Sequence, residues 1–132
     1  MLSMMILFMS EKVLLSSFNF VLESIILILA WFKEIRQPED YGASLLGKSY
    51  YDASLMRIQS IGETLKKIDK ENPGLLNKYA YSKWNEIIRI REIISHHYEQ
   101  IDQEIIFDIC KNDLPVLKTV IERIIADLKK QS

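Results

Sequence analysis

The sequence predicts an all-α fold, a bundle of about five helices forming a single domain over residues 1–132. Three observations carry that expectation. With four glycines and three prolines, little of the chain is suited to the frequent turns of a β protein. Apolar residues recur at three- and four-residue steps through several long stretches. Hydrophobic residues make up 48% and charged residues 27%, an ordinary balance for a globular domain of a size that can bury its own core.

The first helix is expected from about Ser10 to Ile35, where Leu14, Phe18, Val21, Leu22, Ile25, Ile26 and Leu29 lie nearly all round the axis. A helix of that kind is covered on several sides. Gln37-Pro38-Glu39-Asp40-Tyr41-Gly42 stops it. The second helix runs from about Ser44 to Lys70 on Tyr51, Leu55, Ile58, Ile61, Leu65 and Ile68. Gly62 falls inside it at a cost of about 1 kcal/mol against alanine, which a close helix crossing would explain. Asn72-Pro73-Gly74 ends that element. Ser82 is the expected N-cap of a third helix, Lys83 to Tyr98, with Trp84, Ile87, Ile90 and Ile94 on its apolar face. Asp102 caps a short fourth helix containing Ile105, Ile106 and Ile109. Asp113 caps the fifth, with Pro115 tolerated in its first turn and Leu117, Ile121, Ile124 and Leu128 along its inner side.

The N-terminal stretch from Leu2 to Leu29 resembles a membrane span in composition. Ser10, Glu11, Lys12, Asn19 and Glu23 interrupt it, no basic region precedes it, and the reading is a buried helix with no membrane contact. Met9-Ser10-Glu11-Lys12 offers an alternative natural start. The single cysteine, Cys110, excludes an intramolecular disulfide, fits a reducing cytoplasm and is expected to be buried.

The net charge of −1 and pI near 6.1 exclude a protein that coats nucleic acid through bulk positive charge. Any RNA contact must be local or built by a dimer. Glycine-rich phosphate loops, metal-type Cys/His spacings and nucleophile elbows are all missing, so no metal or cofactor is expected. Lys78, Lys83, Arg89 and Arg91 outnumber Glu86 in their stretch and read first as a solvated helix face. Tyr50, Tyr51, Tyr79, Tyr81 and Trp84 read as packing aromatics, and Arg57 as a further phosphate contact that nothing local demands.

The informative segment is Arg91-Glu92-Ile93-Ile94-Ser95-His96-His97-Tyr98. Arg91 and Tyr98, about two turns apart, share a helix face. His96, five residues from Arg91, is turned about 140° away, so one regular helix does not converge Arg and His on one phosphate. Fraying of the helix end, or a second copy of the helix across a dimer axis, would bring them together. His can move a proton near neutral pH, and Arg can hold a phosphate bidentately.

This segment resembles the Arg-x4-His-x-Tyr signature of HepT, a branch of the HEPN superfamily. Ile61-Gly62-Glu63, Trp84-Asn85-Glu86-Ile87-Ile88, and Ile101-Asp102 with Asp113-Leu114-Pro115-Val116-Leu117 resemble the family's other segments, so the likeness covers about Gly47 to Leu128. It implies a HEPN-type bundle and a homodimer whose two motifs line one cleft and cut RNA without a metal. Arg91 would grip the scissile phosphate and His96 would act as general acid/base. It also implies a partner, the minimal nucleotidyltransferase (MNT) antitoxin, which would transfer AMP to Tyr98. Ser95 and His97 stand beside these as supporting positions, and His97 replaces the glutamate often found before the tyrosine. Glu92 departs from the small polar residue usual after the arginine. It could orient His96, or repel RNA. The other reading is a non-catalytic helical subunit that serves a nucleotidyltransferase.

Overall fold

In the computed structural model, residues 2–131 are described, with side chains from Glu11 onward, so the alternative start at Met9 lies outside the described side chains. The fold is all-α, and no strand occurs among the described residues. Helix α1 spans Leu2–Phe32, longer at its start than expected from the sequence. Its buried apolar positions are Leu14, Phe18, Val21, Ile25 and Ile28, alternating four- and three-residue steps, with Ser24 buried beside them. That is the narrow seam of coiled-coil packing rather than an all-round apolar surface. Helices α3 (Leu45–Glu71) and α6 (Leu114–Lys130) cover this seam. Val13, Phe20 and Ile26 on its other sides stay exposed, so the expectation of cover on several sides does not hold. Glu11–Phe32 is also long and apolar enough to cross a membrane by length and composition, with its polar interruptions too sparse to change that.

The predicted stop after α1 contains a four-residue helix, α2 (Asp40–Ala43). The Asp40 carboxylate accepts from the Arg36 and Gln37 amides at 2.8 and 3.3 Å and closes the turn. This buries Tyr41, whose ring packs 5.1 Å from Tyr51 and whose hydroxyl points at Cys110 Sγ, 3.8 Å away. Cys110 is buried as expected, and burial pushes its thiol up to about 11.

Helix α3 begins where the sequence places it: the Ser44 hydroxyl accepts from the Gly47 amide at 2.9 Å. Its stripe of Leu55, Ile58, Ile61, Leu65 and Ile68 is buried, and Gly74 turns the chain with φ +85°. Helix α4 (Trp84–His97) follows. Its N-cap is Lys83 rather than Ser82, and no side chain caps it. The Lys83 ammonium instead meets Asp113 at 2.7 Å. That contact also corrects the expected role of Asp113, which makes no cap hydrogen bond.

Helix α5 (Gln103–Asp108) is capped by Asp102, whose carboxylate accepts from the Glu104 amide at 2.9 Å. A π-turn over Ile109–Asp113 then leads directly into α6. The fourth and fifth helices are thus joined without a break. Pro115 lacks an amide hydrogen and fits the first turn of α6, where such a donor is not needed. Leu114, Leu117, Ile121 and Ile124 repeat at three- and four-residue steps, matching the α1 seam. Tyr79, Tyr81 and Trp84 pack as expected: Tyr81 and Trp84 meet edge to face at 4.9 Å, and Tyr79 donates to Asp127 at 2.8 Å.

Candidate active site at the crossing of α3 and α4

Helices α3 and α4 pack closely and run antiparallel, with Asp52 against Tyr98 and Gly62 against Arg91. Gly62 sets their approach. A Cβ placed there would stand 3.0 Å from Arg91 Cβ and 3.0 Å from the Ile87 carbonyl oxygen. The close crossing inferred from a glycine in mid-helix is therefore present. Moving out from it, Gln59 donates to Ser95 Oγ at 2.7 Å, and Tyr98 donates to Asp52 Oδ1 at 2.8 Å. Two motif residues, Arg91 and Tyr98, and Ser95 between them thus face α3 at successive contacts.

Arg91 is three-quarters covered along its side chain, and its Nε is buried without a hydrogen-bond partner among the described residues. One terminal nitrogen lies 3.7 Å from Glu92 Oε1, a loose ion pair with a carboxylate that is more than half exposed. The departure at Glu92 consequently acts on Arg91 in this structure. Pairs of this exposure contribute little, so an incoming phosphate, which offers two oxygens to the guanidinium, can displace the glutamate.

His96 and His97 are exposed, and neither makes a hydrogen bond or ion pair among the described residues. His96 lies within the regular part of α4, which ends at His97, where the backbone (φ −134°, ψ 34°) leaves the helical region. The helix end does not fray at His96, so within one chain the imidazole stays turned away from the Arg91 side. Tyr98 opens a 3-10 turn, Tyr98–Gln100, with half its surface exposed. Its hydrogen bond to the Asp52 carboxylate, with a smaller contribution from burial, raises the phenol above its ordinary value. Tyr51 nearby is raised chiefly by burial, then by the charges of Tyr98, Asp102 and Asp52, and its hydroxyl donates to the Ile101 carbonyl at 3.2 Å.

Asp52 and Gln59 were not legible as site residues from the sequence. Asp52 meets Tyr98 and Gln59 meets Ser95, pairings that need the helix register that the Gly62 crossing sets. The basic residues do not form one surface. Lys83, paired with Asp113, and Arg89 both line a groove of about 480 Å³ between α4 and α5, together with Ile87, Ile90 and Ile105, away from Arg91. No motif residue lines that groove, and its rim carries Glu86, Asp102, Glu104 and Asp108. Arg57 is drawn to α1, donating to Ser24 Oγ at 3.2 Å and lying over the Phe20 ring, so it is not part of the site. No cluster of three or more His, Cys, Asp or Glu that could hold a metal occurs among the described residues.

An all-α bundle carrying Arg-x4-His-x-Tyr at the exposed end of one helix defines a HEPN-type domain. A family model described as "Ribonuclease HepT-like" matches residues 25–124, and the chain belongs to that HepT-like ribonuclease family. Similar proteins come from Methanocaldococcus jannaschii. "Gamma-glutamylcyclotransferase and putative RNase MJ0434" is 33% identical over 112 residues, 85% of this chain and 47% of that protein. "Putative RNase MJ0127" is 34% identical over 85 residues, 64% of this chain and 68% of the relative. "Putative RNase MJ0125" is 28% identical over 92 residues, 70% of this chain and 77% of the relative. The chain therefore spans about half the length of the first of these and over two thirds of the other two. No solved structure matches it.

Proposed function

We propose that the chain is a metal-independent endoribonuclease, acting as a homodimer in which Arg91 of one protomer and His96 of the other serve the same scissile phosphate. The observation that supports this reading most is the turn of about 140° between Arg91 and His96 on one unbroken helix. A two-fold axis beside α4 supplies what one copy cannot. RNA brings its own nucleophile, the 2′-hydroxyl next to the phosphate. His96 takes or returns a proton as the new bond forms and the 5′-oxygen leaves, and Arg91 holds the phosphate oxygens as charge builds on them.

The same reading makes the chain the toxin of a cytoplasmic toxin–antitoxin pair. Its partner is a nucleotidyltransferase of the MNT type, which silences it by joining AMP to Tyr98. The exposed phenol is open to such a partner. An added nucleotide would place bulk and negative charge at the end of the face that carries Arg91, where RNA phosphate must enter. Growth of cells expressing the chain alone tests this. The parent is expected to arrest growth, and Arg91→Ala and His96→Ala at equal soluble levels are not. Unimpeded growth with all three refutes the toxin.

Glu92 favours a second reading, a non-catalytic subunit of a nucleotidyltransferase, because its carboxylate lies against the arginine that RNA would need. Glu92→Ala separates the two. A ribonuclease should gain RNA affinity from the change, whereas a binding subunit has no RNA affinity to gain.

A further inference from the structure

We propose that Asp52 is the general base for modification of Tyr98: it receives the phenolic proton as the tyrosine oxygen attacks the α-phosphate of a nucleoside triphosphate. The inference rests on the reading of Tyr98 as an AMP acceptor and adds to it the residue that activates the acceptor. In the step, the bond from Tyr98 Oη to the α-phosphorus forms and the bond to the β-phosphate oxygen breaks. Pyrophosphate leaves with that electron pair, and the phenolic proton passes to Asp52 Oδ1 and then to solvent. The nucleoside triphosphate arrives with the transferase.

Four observations place Asp52 in this role. The Tyr98 hydroxyl already donates to its carboxylate at 2.8 Å, so the acceptor is in line with the proton that must leave. Asp52 makes no ion pair among the described residues, so no cation quenches its capacity to accept. Both side chains are exposed, which lets a transferase reach the phenol and lets the aspartate return its proton to water. Tyr51 lies nearby and supplies no positive charge that would hold a free phenolate. The carboxylate itself works against phenolate formation at rest. Tyr98 therefore reacts only if its proton departs together with bond formation, the situation in which a positioned base is most effective.

Asp52→Asn keeps an acceptor oxygen for the tyrosine and removes the basicity. Asp52→Glu keeps the basicity on a longer arm. The assay uses the purified full-length chain, labelled ATP with magnesium, and a minimal nucleotidyltransferase selected for relieving growth arrest by the parent chain. Incorporation is mapped by mass spectrometry, with Tyr98→Phe as control and circular dichroism to show that every variant is folded. The expected result is labelling of the parent at Tyr98, a drop of about 10²–10⁴-fold for Asp52→Asn, and recovery of at least tenfold by Asp52→Glu. Labelling of Asp52→Asn within threefold of the parent overturns the role of Asp52 and leaves Tyr98 as acceptor, with the base coming from the transferase. A parent that stays unlabelled overturns the acceptor reading itself, and the proposal with it.

Discussion

Replacing Gly62 with alanine tests the crossing on which the site is built. Alanine is the better helix former by about 1 kcal/mol, so in an uncrowded helix the change would stabilise the protein. Here the new methyl would stand 3.0 Å from Arg91 Cβ and from the Ile87 carbonyl, and 3.5 Å from the Ile88 carbonyl. None of these atoms is the end of a flexible side chain, so relief requires α3 and α4 to move apart by a few tenths of an ångström. Overpacking of this kind costs about 1–3 kcal/mol, which outweighs the gain in propensity and leaves a net loss of roughly 1 kcal/mol. For a chain of this length that corresponds to a fall of about 3–5 °C in melting temperature. Thermal unfolding at matched protein concentration checks it, because association shifts the transition. RNA cleavage should fall more steeply than stability, since Arg91 is the residue displaced and small misplacements at a phosphate grip can cost as much as about 10²-fold. A Gly62→Ala protein that melts higher than the parent and cleaves RNA at the parental rate would refute the close crossing and its part in placing Arg91.

Three other outcomes follow from the packing. Ser44→Ala removes the cap of α3 and is expected to cost about 1 kcal/mol in urea unfolding, with Ser44→Asp close to neutral. Cys110, buried and raised to about 11, should react with a thiol reagent at pH 8 at least 100-fold more slowly in the native protein than in urea; comparable rates would place it at the surface. Burial lifts the Tyr81 phenol to about 12, so the folded state holds that proton more tightly than the unfolded chain does. Its contribution is complete below the unfolded value near 10 and is lost as pH rises from about 10 towards 12. Alkaline unfolding followed by tyrosinate absorbance should therefore be shallower in Tyr81→Phe than in the parent.

Much of the fold was legible because the buried seams repeat. Leu55, Ile58, Ile61 and Leu65 in α3 and Leu117, Ile121 and Ile124 in α6 advertise their inward faces by spacing alone, and Asp102 caps where its chemistry suggests. What escaped depends on tertiary partners. Asp113 has the residue type of a cap, yet a lysine thirty positions away claims it. The apolar surface of α1 exceeds what α3 and α6 cover, and composition does not reveal which stripe they choose. At the site, Arg91, His96 and Tyr98 could be named from their order, while Asp52 and Gln59 emerged only from the register of two helices. Position alone points Glu92 at His96 or at RNA, whereas in the fold its carboxylate meets Arg91.

The central claim is that arginine and histidine from different protomers complete one RNA-cleaving site. Purified Arg91→Ala and His96→Ala proteins, each tested alone with labelled RNA in EDTA and then mixed after dissociation and reassociation, address it directly. Each variant alone should be inactive. The mixture should regain roughly a quarter of parental activity, since about half the dimers are mixed and each carries one intact site of two. A parent that cleaves while the mixture stays as inactive as its components would contradict the shared site.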